Sequence, residues 1–284
     1  MIAANTNQDN QFEWPRKVDL FGIGYSPTSY EEATDSIIAA ATLNRSGVVS
    51  CHAVHALISA STDPDLGRMI NQFEMVTPDG QPVRWAMNLL HATNLKERVY
   101  GPELTVRICQ RAAETGVPIY LYGGSPEVVE TLQVNLRDRY PGLIIAGYES
   151  PPYRALTPEE DQEVVDRINQ SGAGIVFIGL GCPKQDVFAF EHRNQIKAVQ
   201  ICVGAAFDFH ADTLPMAPKW MQQSGLEWLF RLIQEPKRLW KRYLITNSIY
   251  LGKLFLALLN VQQVRKQRQE TKQQSTSTLN FKGN

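Results

Sequence analysis

Short apolar runs alternate along this chain with longer segments of helical period, and that alternation narrows the possible folds more than any other feature. Residues 18–23, 48–51, 75–76, 119–122, 143–146, 175–178 and 200–203 read as strands. Helix starts between them are well marked. Ser29 with Glu32 and Thr157 with Glu160 have capping-box spacing, and Ser125-Pro126-Glu127 joins an N-cap, an N1 proline and a first-turn acid. Repeated strand–helix units lay successive strands parallel, with helices on both faces. The predicted fold class is therefore α/β, a doubly wound, mostly parallel, Rossmann-like sheet. In such sheets ligands bind outside the carboxyl ends of the strands, so the loops there are where chemistry is expected.

After residue 203 the pattern changes: residues 213–259 hold helical, aromatic-bearing segments with no strand signal, a helical C-terminal appendage. The whole chain has a net charge of −1, which provides no global field to draw nucleic acid. Residues 231–272 nevertheless carry ten Lys or Arg against two acids, Glu235 and Glu270. Residues 243–261 are apolar but broken by Asn247, Ser248 and Lys253, short of the roughly 20 apolar residues of a spanning helix. A basic amphipathic helix lying on a membrane surface is the expectation. The predicted organisation is a flexible segment 1–17, an α/β catalytic domain 18–212, a basic membrane-associating appendage 213–264 and a disordered tail 265–284 rich in Gln, Lys, Ser and Thr. Length, at 284 residues with 43% apolar content, suffices for one such domain and its appendage. Four cysteines without CxxC spacing read as reduced, packed thiols, and the polar first eleven residues lack a signal-peptide pattern, so the expected location is the cytoplasm.

Three loops stand out. In Thr77-Pro78-Asp79-Gly80 a carboxylate sits where an apolar strand stops and an amphipathic helix begins. Pro78 presets φ and Gly80 tolerates positive φ, so Asp79 can point off the sheet edge into a crevice. Asp79 is the first candidate for a catalytic group; an N-cap on the following helix is the competing reading. In Tyr122-Gly123-Gly124-Ser125-Pro126, amides of Gly123 and Gly124 at a helix N-terminus are placed to hold a diphosphate oxygen, or form an ordinary tight turn. In Gly179-Leu180-Gly181-Cys182-Pro183-Lys184-Gln185-Asp186 the third glycine of a dinucleotide fingerprint is replaced by Lys184, which argues against nicotinamide binding. A cation at a helix N-terminus opposes the macrodipole and makes sense beside an anion such as a nucleotide-sugar phosphate; a solvated lysine is the alternative.

Other patterns are weaker. His52 and His55 have HxxH spacing without a third ligand, Asp63-Pro64-Asp65 is a D-x-D in a helix-to-helix turn, and Asp208-Phe209-His210 follows the last strand at the sheet edge, lining the crevice or forming a buried polar pair. No metal or other cofactor is implied.

Taken in order, Thr77-Pro78-Asp79-Gly80, Tyr122-Gly123-Gly124, Gly181-Cys182-Pro183-Lys184-Gln185, the run Val203 to Phe209, Ala217-Pro218-Lys219-Trp220 and Gly225-Leu226-Glu227-Trp228 through Glu235-Pro236-Lys237-Arg238 resemble the WecG/TagA/CpsF family, glycosyltransferase family 26. The resemblance runs from about residue 18 to 243. It implies an inverting, metal-independent transferase that moves an N-acetylhexosamine or related hexose from a UDP-sugar to a polyprenyl-diphosphate-linked sugar at the cytoplasmic membrane face, in cell-surface polysaccharide synthesis. It implies Asp79 as catalytic base. By the same resemblance Gln185 is expected by the donor, Arg98 in the crevice, and Arg231, Arg238 and Arg242 in an appendage that closes over the diphosphate. Gly181, Lys184 and Asp208 fall in the matching loops. Ser50 and His52 stand where teichoic-acid members carry Thr-x-Asn, on the substrate side. A homo-oligomer is compatible with this reading, and a membrane scaffold that binds nucleotide sugars without catalysis is its alternative.

Overall fold

The computed structural model describes the backbone of residues 12–281 and the side chains of residues 12–260. A small hairpin of β1 (Val18–Leu20) and β2 (Ile23–Tyr25) precedes α1 (Tyr30–Thr42), β3 (Gly47–His52), α2 (Val54–Thr62), α3 (Pro64–Asn71), β4 (Met75–Pro78), α4 (Gln81–His91) and α5 (Gly101–Thr115). The chain continues through β5 (Ile119–Gly123), α6 (Pro126–Arg139), β6 (Ile145–Glu149), α7 (Pro158–Gln170), β7 (Ile175–Gly179), α8 (Lys184–Glu191), β8 (Val199–Cys202) and α9 (Ala206–His210). Three further helices, α10 (Lys219–Gln223), α11 (Glu227–Gln234) and α12 (Pro236–Phe281), form the appendage.

Six strands make one sheet in the order β4-β3-β8-β7-β5-β6, every pair parallel, as the βα alternation predicts. Because side chains alternate across a strand, each strand feeds two cores. Ile119, Leu121, Ile175, Phe177, Val199 and Ile201 face one layer, whereas Tyr120, Tyr122, Val176, Ile178 and Cys202 face the other. Most of these side chains are fully buried, and each contributes about 1.5–3 kcal/mol relative to exposure. A consequence of the all-parallel sheet is that His52, Asp79, Gly123, Gly179 and the turn after Cys202 emerge at one edge.

Capping sets the helix starts. Thr157 and Glu160 form a complete capping box, and the Ser125 hydroxyl accepts the Val128 amide at 3.2 Å. Ser29 caps α1, but Glu32 turns its carboxylate to the Thr28 hydroxyl at 2.9 Å, so only half the predicted box forms.

Three expectations need correction. The apolar run 18–23 is not one strand, because Phe21 (φ 58°) and Gly22 (φ 90°) form a two-residue turn and the Asp19 carboxylate accepts the Gly22 amide. The strand expected at 143–146 begins two residues later, as β6 on the sheet edge. Asp208 does not border the sheet edge laterally: β8 is an interior strand, and Asp208 lies in α9 beyond its carboxyl end.

Phe12 and Trp14 pack against the first core; the rest of the expected flexible segment up to residue 11 lies outside the described residues. The appendage is seated on the sheet domain by α12. Tyr250 donates to the Pro82 carbonyl at 2.6 Å and meets the Phe21 ring, and Lys253 reaches the Ser61 carbonyl. Its other side leaves Trp240, Leu244, Leu251 and Phe255 more than half exposed. Among the described residues no helix is long and apolar enough to cross a membrane. The expected tail, residues 265–284, lies outside the residues whose side chains are described.

Candidate active site

The end of β4 delivers Asp79 into the crevice, held by its own backbone amide, which donates to the carbonyls of Thr77 (3.0 Å) and His52 (3.2 Å). Gly80, not Asp79, is the N-cap of α4, and no side chain caps that helix. Asp79 instead turns toward a different helix: its Oδ2 accepts the Gly101 amide, at the first turn of α5, at 2.8 Å. Gly101 permits this approach, since a Cβ there would press on the Val203 carbonyl at 3.3 Å and on Asp79 Oδ2 at 3.4 Å. The second oxygen, Oδ1, makes no hydrogen bond among the described residues. Burial pushes the Asp79 carboxyl up to about 6, against the opposing pull of Arg98 and the Gly101 amide. A carboxylate so tuned is charged at neutral pH yet is a stronger base than an ordinary aspartate.

Below Asp79 lies a buried polar hub that the sequence did not reveal. Asp186 Oδ1 accepts from the Ser50 hydroxyl at 2.6 Å and pairs with His52 Nε2 at 3.0 Å, tying β3 to α8. Burial pushes the Asp186 carboxyl up, but His52 and the hydrogen bonds from His52, Ser50 and Cys182 outweigh it and hold the group below the usual range. Ser50 and His52 are fully buried, so they shape the crevice floor from beneath. His55, partner in the HxxH pattern, is held down to about 4 by burial, Arg242 and His52. Among the described residues no group of three or more His, Cys, Asp or Glu is placed to hold a metal ion. Asp63 of the D-x-D caps α3, accepting the amides of Asp65 and Leu66.

The glycine loops divide in function. Gly123 (φ 128°) is required by packing, since a Cβ would stand 2.7 Å from the backbone of Gly179. The Gly124 amide donates to the Gly179 carbonyl at 3.1 Å, so it is spent within the sheet edge and not offered to an anion, contrary to expectation. Gly181 (φ 76°) faces open space. Nearby, Gln185 is buried close to Gly204, with its Oε1 unpartnered. Lys184 is exposed and lies over the Tyr153 ring at 5.4 Å.

The appendage closes the other side. Arg231 lies over the Phe209 ring, and Arg231 and Arg238 face Asp208, whose carboxyl burial pushes up while both arginines pull it down. Arg238 also pairs with Glu235. Arg242 turns toward His55 and Cys182, with its Nε unpartnered. Arg98 is buried and is taken by the appendage: its Nη2 donates to Glu227 Oε2 at 2.6 Å, and the guanidinium stacks on Tyr100 at 4.0 Å. Glu227 is the residue that sequence reasoning missed here; it was visible only as a letter of the Gly-Leu-Glu-Trp motif. With a carboxylate raised by burial, a Gln acceptor and three appendage arginines around one parallel-sheet edge, the arrangement is suited to group transfer from an anionic leaving group.

The family model described as glycosyl transferase WecG/TagA/CpsF family matches residues 18–264. The chain belongs to that family. It is thus a glycosyl transferase by membership, and the match spans both the sheet domain and the part of the appendage that carries Glu227, Arg231, Arg238 and Arg242.

Proposed function

We propose that the protein is an inverting glycosyltransferase of cell-surface polysaccharide synthesis, moving an N-acetylhexosamine or related hexose from a UDP-sugar to a polyprenyl-diphosphate-linked sugar. The observation that carries this reading is the posture of Asp79, with one oxygen pinned by the Gly101 amide, the other unbonded, and its carboxyl pushed up to about 6. In a single displacement, the acceptor hydroxyl oxygen forms a bond to the anomeric carbon as the bond from that carbon to the UDP oxygen breaks. Asp79 takes the hydroxyl proton and UDP departs with the bonding pair from the opposite face, so one base suffices for inversion.

Charge on departing UDP is met on this reading by Arg231, Arg238 and Arg242, with Gln185 beside the donor. Each such donor is worth about 2.7–4 kcal/mol in comparable oxyanion sites. The exposed apolar side of α12 and the basic residues around it are consistent with docking on an anionic membrane surface, where a lipid-linked acceptor resides. The α/β domain 18–212 then carries the chemistry and 213–264 the membrane contact. The test is Asp79→Asn: transfer is expected to vanish while UDP affinity, measured by calorimetry, stays within a factor of two or so. Parallel loss of UDP binding would return Asp79 to a purely structural role, and intact binding with no turnover in wild type would favour a nucleotide-sugar-binding scaffold.

A further inference from the structure

Arg98 stands between two carboxylates and is bonded to only one of them. It lies three residues before Gly101, the residue whose amide holds Asp79, yet its guanidinium turns away to α11, where Nη2 meets Glu227 Oε2 at 2.6 Å and Gln222 Oε1 at 3.4 Å. Arg98 and Glu227 are nearly dry, with side-chain exposures of 9% and 13%. The Tyr100 ring, 4.0 Å from the guanidinium carbon, supports it from one side. No ion pair joins Arg98 to Asp79 among the described residues, although Arg98 acts on Asp79 through space.

We propose that Glu227 is a positioning residue for the transfer: its carboxylate holds the Arg98 guanidinium on the appendage side and so keeps it from pairing with Asp79. This rests on the reading of Asp79 as the base. An arginine fork closing on a carboxylate offers two strong hydrogen bonds and a charge, and lowers an aspartate by about 1–3 pH units. Such a pair at Asp79 would occupy Oδ1, the oxygen left unbonded, and leave a weak base. Glu227 outcompetes Asp79 for Arg98, and its own negative charge also raises Asp79.

The other groups facing Asp79 do not substitute for it. His52 on β3 and the Gly101 amide on α5 both lower the carboxyl. The thiol of Cys51 and the phenols of Tyr25 on β2, Tyr30 on α1 and Tyr100 are all pushed up, first by burial, and stay neutral. Since Glu227 belongs to the appendage, the base is set only while α11 is seated against the sheet domain.

The test uses the full chain in detergent, with 13Cγ-labelled aspartate and the Asp79 resonance assigned by its loss in Asp79→Asn. In wild type the Asp79 midpoint is expected near 6. Glu227→Gln should lower it by about one unit or more with Arg98 present, and by clearly less in an Arg98→Gln background, where only the direct charge of Glu227 is lost. An unmoved midpoint in Glu227→Gln, or an equal lowering in both backgrounds, overturns the proposal. Glu227→Asp keeps the buried charge on a shorter arm; should Glu227→Gln fail to melt cooperatively, this variant decides, a smaller lowering supporting the hold and an unmoved midpoint overturning it.

UDP release against pH separates this inference from the reading beneath it. If Asp79 is the base, the acid limb of kcat/KM follows the carboxyl midpoint from variant to variant. A midpoint that moves while the limb stays put supports the hold of Glu227 on Arg98 and sinks Asp79 as base.

Discussion

Replacing Asp79 by Asn should make the protein more stable while abolishing its activity. In the folded chain the carboxyl is pushed from 3.8 to about 6, chiefly by burial, a rise of about 2 units. At 1.36 kcal/mol per unit the ionised side chain costs the fold about 3 kcal/mol at most. Asp79 keeps some contact with solvent, which screens the effect, so about 1–2 kcal/mol is the working figure. Asn is isosteric and retains an oxygen for the Gly101 amide, so the hydrogen bond at 2.8 Å survives. The sign follows from linkage: the folded state binds the Asp79 proton more tightly than the unfolded state, so wild-type stability falls as pH rises from about 4 to 6 and the penalty is complete above the folded value. Urea melts of both proteins from pH 4 to 8 measure it. The Asn variant should gain its full margin above about pH 6.5, worth about 2–6 °C in Tm for a chain of this size, and the margin should shrink toward pH 4. A variant less stable than wild type at pH 8, or one with a margin independent of pH, would refute the buried-base argument and restore Asp79 as a structural cap.

Four further outcomes follow from the geometry. Gly123→Ala should lower stability by about 2–4 kcal/mol in urea melts, because its Cβ would stand 2.7 Å from the Gly179 backbone at φ 128°. Asp186→Ala leaves His52 and Ser50 without their shared acceptor and should cost about 3–5 kcal/mol. Asp186→Asn should flatten the acid limb of stability, since a carboxylate held below its ordinary range contributes above that range and is lost as pH falls through the folded value. Trp240→Ser with Leu244→Ser removes two exposed apolar side chains of α12 and should weaken co-sedimentation with anionic vesicles about tenfold or more, without changing the melt.

Much of the architecture was legible because it is written in local periodicity. Alternating apolar runs and helix caps predicted the parallel sheet, and turn chemistry placed the strand-to-helix glycines and Asp79 in loops at the carboxyl ends of its strands. What escaped notice depends on partners far apart in sequence. Asp186 meets Ser50 and His52 across 136 and 134 positions, and Glu227 meets Arg98 across 129; no local pattern encodes such pairs. Gly124 was misread for a related reason, since its amide belongs to Gly179 on a neighbouring strand. Asp79 does not cap the helix that follows it; its carboxylate instead accepts the first amide of α5, a helix 22 positions on.

On the proposed mechanism Asp79 takes a proton from a lipid-linked acceptor as UDP departs. UDP release by the detergent-solubilised protein, with a panel of UDP-sugars, with and without a polyprenyl-diphosphate-linked acceptor, tests it most directly. Release is expected with one donor, requiring both the acceptor and Asp79, and none is expected from Asp79→Asn. Acceptor-dependent release that persists in Asp79→Asn would contradict it.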